Sequence, residues 1–236
     1  MKNSKLREAL LVIDMQNDFC PGGALGVPEG DKIVPMINKY IKIFTKKKLP
    51  IFFTQDWHPA LSRHFKDFGG KWPAHCIQNS QGAQLHSGLG LSKQAIFLYK
   101  GMDPKKDAYS AFQAEDASGT SFPQLLQQMS IGTLYVAGLA TDYCVKFSTR
   151  DAVKQGFKVK ILMDAIKGVN LKPSDSGNAI KEMVRLGAKK ITLKDVLRAL
   201  ETLEPKITLP KDVLDKARVP LQRMLDIGRG EAGFKK

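Results

Sequence analysis

The sequence predicts an α/β protein, a three-layer Rossmann-like fold with a mainly parallel sheet of about six strands and helices on both faces. Three observations carry this. Short, continuously apolar runs recur along the chain, longer stretches between them carry apolar residues at helical spacing, and the two kinds alternate through most of the sequence. Strands that are apolar at every position are buried on both sides, as happens in parallel sheets whose crossover helices cover both faces.

Taken in order, residues 9–13 form the first apolar run, and 33–44 the first helical pattern, ending at Lys46-Lys47-Lys48, where cations suit the negative end of the helix dipole. A second strand is expected at 50–54. Residues 56–91 break the alternation; with Gly69-Gly70, Trp72-Pro73 and all four histidines, they read as a long ordered loop of the kind that carries function. Strand 95–99, helix 122–129, strand 133–137, helix 145–155, strand 158–163 and helix 174–186 follow, then a weaker strand at 190–193 and a helix at 196–203. The division expected is one α/β domain over 1–204 and, over 205–236, a basic C-terminal extension, partly helical or disordered.

At 236 residues, 43% hydrophobic and 25% charged, the chain has the size and composition of one globular domain with an appendage. No run approaches the roughly 20 apolar residues of a membrane span, and the N-terminus leads into a strand instead of a signal peptide, so a cytoplasmic protein with no membrane partner is expected. Cys20, Cys76 and Cys144 are an odd set, which argues for free thiols over a disulfide framework. The net charge of +14 is spread along the chain, and a solvated surface explains it better than a nucleic-acid partner does.

Ligands of an open parallel sheet bind beyond the carboxyl ends of its strands. Polar residues there are Asp14 after the first strand, Lys100 after the third and, after the fourth, Cys144 in the segment Gly138-Leu139-Ala140-Thr141-Asp142-Tyr143-Cys144. A cysteine in the first turn of a helix is biased toward the reactive thiolate. Asp14 can take the thiol proton and return one to a leaving group, with Lys100 holding negative charge in place. Alone, each has an ordinary explanation as buried packing, helix cap or solvated lysine; their common placement favours chemistry. A second group is Asp56-Trp57-His58, whose carboxylate and imidazole point the same way from an extended segment. His64 and His75 follow in the same loop. Nitrogen and oxygen ligands without thiolate suit Zn²⁺, Fe²⁺ or Mn²⁺. His86 lacks such a context and reads as a surface residue.

Leu11-Val12-Ile13-Asp14-Met15-Gln16-Asn17-Asp18-Phe19, the Tyr99-Lys100-Gly101 step and the block from Gly138 to Cys144 together resemble the isochorismatase-like cysteine hydrolases. Asp56-Trp57-His58-Pro59 and Trp72-Pro73-Ala74-His75-Cys76 add a likeness to the metal-bearing amidases among them, from about residue 8 to about residue 200. The resemblance implies deamidation of nicotinamide, a small-molecule substrate, to nicotinate and ammonia through a Cys144 thioester. It implies Asp14 as base and then acid, Lys100 as electrostatic support, and a cis Leu139–Ala140 peptide that places the Ala140 and Cys144 N–H groups as an oxyanion hole. It also implies one divalent metal ion per chain, zinc ahead of iron or manganese, held by Asp56, His58 and His75 and taking the pyridine nitrogen, with no nucleotide cofactor. Phe19, Trp72 and Tyr109 match positions around the substrate ring. Relatives often carry a histidine six positions after the aspartate and a hydroxyl residue at eight; here Ser62 and His64 stand there, which leaves His64 open as a further ligand. A different small carboxamide as substrate, with no need of the metal residues, and a polyanion-binding protein are the rival expectations. The extension is open to a homo-oligomer contact.

Overall fold

The computed structural model describes residues 6–201. The chain runs β1 (Arg7–Ile13), α1 (Val34–Lys46), β2 (Ile51–Asp56), β3 (Ala95–Lys100), α2 (Phe122–Gln128), β4 (Ile131–Leu139), α3 (Lys146–Lys154), β5 (Lys158–Lys167), α4 (Asp175–Arg185), β6 (Lys189–Ile191) and α5 (Leu193–Glu201). The six strands make one parallel sheet in the order β3-β2-β1-β4-β5-β6. From the central β1 the chain builds outward to one edge, then returns to β4 and builds to the other, so the strand order reverses between β1 and β4. Every expected strand overlaps one that forms. The extension expected over 205–236, and residues 202–203 of the last expected helix, lie outside the described residues. Among the described residues no helix is long and apolar enough to cross a membrane.

Alternation along each strand sorts the core into two layers. Leu10 and Val12 of β1, Phe53 of β2 and Leu162 of β5 face α1 and α5, through Ile37, Tyr40, Ile41, Phe44, Val196 and Leu200. Ala9, Leu11, Ile13, Phe52, Val136 and Ile161 face α2, α3 and α4, through Phe122, Leu125, Leu126, Ala152 and Met183. Helices therefore cover both faces, and β2, β3 and β4 are buried nearly throughout, as continuous apolar runs require.

Two elements differ from expectation for local reasons. α5 begins at Leu193, earlier than 196, because Asp195 reaches back over its first turn: the Thr192 N–H and hydroxyl both donate to Asp195 Oδ2, at 2.8 and 2.9 Å. The same contact ends β6 at Ile191. β5 runs on to Lys167, past 163, because the ladder with β4 shifts register between Val136 and Gly138 and then pairs Gly138 with Ile166 and Leu139 with Lys167. Gly138 sits at that shift with φ +110°, and a Cβ there would lie 2.1 Å from the Ile13 carbonyl oxygen. Only glycine lets β4 lie this close to the end of β1.

Phe52 and Phe122 are fully buried and meet edge to face, ring centroids 5.0 Å apart, tying β2 to α2. Truncating Phe52 to alanine should cost about 3–5 kcal/mol of unfolding free energy, measured by denaturant titration.

Candidate active site

The ends of β1, β2 and β3 and the turn after β4 meet at one edge of the sheet. Asp14 follows β1 with φ +48°, a left-handed conformation seldom adopted outside glycine. Its Oδ1 accepts a 2.6 Å hydrogen bond from the Thr54 hydroxyl of β2, and its N–H reaches the Thr54 carbonyl at 3.2 Å. Lys100, the last residue of β3, is buried, and its Nζ lies 2.9 Å from Asp14 Oδ2, against Asp56 Oδ1, 3.1 Å from the Ala108 carbonyl and 3.7 Å from Cys144 Sγ. One ammonium thus joins two carboxylates and a thiol from four segments.

The surroundings set the protons. Burial pushes the Asp14 carboxyl up, Lys100 opposes this, and neighbouring Asp56 adds to the rise. Burial acts the same way on Asp56, but Lys100 opposes it, and this carboxyl is held well below the usual range. Lys100 is kept charged against its burial by Asp14 and Asp56. Burial raises the Cys144 thiol, with Lys100 working in the opposite direction. This corrects the expectation that a helix N-terminus activates the sulfur: Cys144 sits in a wide π-turn, Thr141–Val145, ahead of α3, with Tyr143 at non-helical φ/ψ of −124° and −105°. The thiol is held protonated beside a carboxylate able to take its proton. The Leu139–Ala140 peptide is cis.

The loop after β2 folds back on itself by backbone pairing. The His58 N–H donates to the Cys76 carbonyl at 3.0 Å, the Gln78 N–H to the His58 carbonyl at 2.9 Å, and the Lys66 N–H to the Trp72 carbonyl at 2.7 Å. These pairings bring His58, His64 and His75 together, all buried, each able to offer a ring nitrogen to a set lying within 4.8 Å of one another. Each ring has an acceptor at Nδ1: the Gly101 carbonyl for His58 at 3.0 Å, Asp107 Oδ1 for His64 at 2.5 Å and the Pro73 carbonyl for His75 at 2.7 Å. Carbonyl and carboxylate oxygens only accept, so every Nδ1 carries a proton, and in the neutral form of each ring it is Nε2 that offers a lone pair. Burial lowers His64, and lowers His75 to about 4, so both are neutral, the form that binds metal. His58 Nε2 is buried with no hydrogen-bond partner and stands 3.6 Å from Asp56 Oδ2, which is also 4.0 Å from His75 Nε2. An uncompensated buried lone pair among neutral imidazoles, with a carboxylate at their edge, fits a divalent cation. The ligand that the sequence left open, His64, stands inside this group.

A cavity joins the two groups and is lined by Asp14, Asp56, His64, His75, Ala140 and Cys144. Phe19, Trp72 and Tyr109 line it too, together with Leu25, Val27, Leu139, Tyr143 and Val169. Phe19 packs on His75 with centroids 5.4 Å apart, and Trp72 Nε1 donates to the Tyr109 hydroxyl at 2.8 Å. Lys100 and His58 stand behind the wall and act through Asp14, Asp56 and Cys144. His86 is not among the residues lining this cavity; it is half-buried, its Nδ1 accepting from the Gly88 N–H at 3.1 Å.

Sequence reasoning missed the supports. Gln16 pairs with the Asp56 backbone in both directions at 2.8 Å, and Asp18 Oδ2 accepts the Cys76 N–H at 2.7 Å. The signal was present in the two-residue spacing of Asp14, Gln16 and Asp18. Val169, beyond the end of β5, was passed over because only polar strand ends were collected.

Residues 8–195 match the model of the isochorismatase domain family. The chain is 43% identical over 203 aligned residues to the nicotinamidase of Escherichia coli K12, covering 79% of this chain and 95% of that protein. The crystal structure of Pyrococcus horikoshii pyrazinamidase in complex with zinc is similar at a TM-score of 0.74 and 44% identity, over 79% of this chain and 99% of that one. The structure of PnC1 from L. infantum in complex with nicotinate is similar at a TM-score of 0.69 and 34% identity, over 81% and 95%.

Removing the shared ammonium leaves two buried carboxylates facing each other. In metal-free protein, Lys100→Met should therefore cost about 3–5 kcal/mol at neutral pH. Both carboxyls then titrate above their unfolded values, so stability should be recovered as pH falls and lost as pH rises through the carboxylate range, checked by denaturant midpoints across pH.

Proposed function

The chain belongs to the isochorismatase domain family, and on that footing we propose that it is a nicotinamidase, hydrolysing nicotinamide to nicotinate and ammonia in NAD salvage. The observation that carries the chemistry is the single ammonium 2.9 Å from Asp14 and 3.7 Å from Cys144 Sγ, at one end of a cavity whose other end holds His64 and His75.

In this reading Asp14 takes the Cys144 proton as the sulfur attacks the carboxamide carbon, and the carbonyl oxygen becomes an oxyanion facing the Ala140 and Cys144 N–H groups. Each such donor lowers the barrier by about 3 kcal/mol. As the oxyanion collapses the C–N bond breaks, Asp14 gives its proton to the departing nitrogen, and ammonia leaves a thioester on Cys144. Water then attacks that carbon with Asp14 as base, the C–S bond breaks, and the proton returns to the thiol as nicotinate departs. Lys100 keeps its charge throughout, steadying Asp14 in whichever state it holds. Its raised proton affinity supports a role as fixed charge over one as acid. Phe19, Trp72 and Tyr109 offer rigid flat surfaces for a flat ring at low entropic cost.

Asp56, His58, His64 and His75 are proposed to hold one divalent ion, zinc by the imidazole-rich and thiolate-free character of the set. When bound, that ion supplies a Lewis acid for the ring nitrogen of the substrate. A substrate with a ring nitrogen explains why the histidines open on the same cavity as the nucleophile. A different carboxamide would leave them without a task.

Purified enzyme should release ammonia from nicotinamide without ATP, and Cys144→Ala should abolish release. Asp14→Asn should lower the rate by about 10²–10⁴-fold in a coupled ammonia assay. Full turnover by Cys144→Ala would overturn the mechanism. Stripping the metal with a chelator should weaken nicotinamide binding, with added zinc restoring it; metal-free protein of unchanged affinity would remove the ion from substrate recognition.

A further inference from the structure

We infer that Asp107 is a positioning residue that fixes His64 as a metal ligand, an assignment that rests on the proposed metal site. Of the three Nδ1 acceptors, the Gly101 and Pro73 carbonyls belong to the backbone and are neutral, whereas Asp107 is a side-chain carboxylate, 2.5 Å from His64. Beyond that bond, His64 is placed by its own backbone, whose N–H donates to the Ser62 hydroxyl at 3.2 Å. With Nδ1 tied to Asp107, the ring has one tautomer and one orientation, and Nε2 faces His58 and His75. A carboxylate acceptor also makes the imidazole a stronger electron donor than a carbonyl does.

A purely structural role, as a pin for the segment 103–109, fits less well. That segment has other fastenings: the Arg63 N–H donates to the Pro104 carbonyl at 2.8 Å, and Gln113 Nε2 to the Asp107 backbone carbonyl at 3.1 Å. The Asp107 side chain is 55% exposed while that of His64 is 5% exposed, so the pair reaches from solvent to the buried ligand group. A hydrogen bond from a neutral ring to so exposed a carboxylate adds little to stability. Its consequence lies in what it does to the ring.

The test is zinc affinity of the metal-stripped full chain, by competition with a chromophoric chelator, for wild type, Asp107→Ala, Asp107→Asn and His58→Ala. Asp107→Ala should bind zinc about 10–100-fold more weakly. Asp107→Asn, which keeps an acceptor oxygen without the charge, should fall between it and wild type. Metal-free Asp107→Ala should unfold at the same denaturant midpoint as metal-free wild type. Unchanged zinc affinity in Asp107→Ala beside a crippled His58→Ala would overturn the inference and leave the metal site standing. Unchanged affinity in His58→Ala as well would overturn the metal site itself. A metal-free Asp107→Ala destabilised as much as its zinc affinity drops would assign Asp107 a structural role and also overturn the inference.

Discussion

One buried ammonium governs this site. Lys100 Nζ touches Asp14, Asp56 and the Cys144 sulfur, and these come from the ends of β1 and β2 and from the turn beyond β4. Placing a lysine where almost no water reaches costs several kcal/mol unless counter-charges surround it, and two carboxylates there are costly without the lysine. Each charge is tolerable only because the others are present. The sheet order β3-β2-β1-β4 makes the arrangement possible, since the four contributing segments are immediate neighbours and their ends fall on one line. Moving any of these strands to another position would separate a charge from its partner.

A second tier of contacts protects that geometry. Along the stretch after β1, alternate residues divide the work: Asp14 faces Lys100, Gln16 binds the Asp56 backbone, and Asp18 binds the Cys76 N–H beside His75. Gly101, next to Lys100, is equally constrained. It has φ +73°, its carbonyl accepts from His58 Nδ1, and a Cβ there would come within 2.4 Å of His58 Cε1. The residue after the ammonium must therefore be glycine for the first histidine to keep its place. The nucleophile end and the histidine end are two parts of one packed unit, joined through Asp56, whose two oxygens face Lys100 and the imidazoles.

Much of this was legible in the chain. Continuous apolar runs gave the parallel strands, because a strand buried on both faces cannot alternate, and the rule that ligands gather at strand ends selected Asp14, Lys100 and Cys144 without knowledge of strand order. The Asp-x-His pair and the later histidines marked the second group. What stayed hidden depends on the fold of the segment between β2 and β3. Whether His64 joins His58 and His75 is decided by backbone pairings such as Lys66 with Trp72, which no periodicity announces. Asp107 could not be found from the sequence, because its partner lies 43 residues away in a stretch without regular structure. The start of α5 was legible in principle, as Thr192 and Asp195 carry the spacing of a cap, but a β-branched threonine after a weak strand reads equally as more strand.

The two carboxylates share Lys100 yet are pushed in opposite directions, and this separates their tasks. Asp56 is held ionised by the ammonium, so it serves as a fixed anion. Asp14, raised by burial and by the charge of Asp56, is the one that can gain and lose a proton. Two groups with proton affinities driven apart are what a site needs when one carboxylate must stay charged and the other must cycle. The sulfur completes the logic. Because burial disfavours the thiolate, a free Cys144 anion is not stored in the resting enzyme. In the proposed reaction, proton transfer to Asp14 and attack on the carbonyl carbon are thereby coupled. The negative charge then passes, in the proposed reaction, from the Asp14 carboxylate to the substrate oxygen without resting on the sulfur.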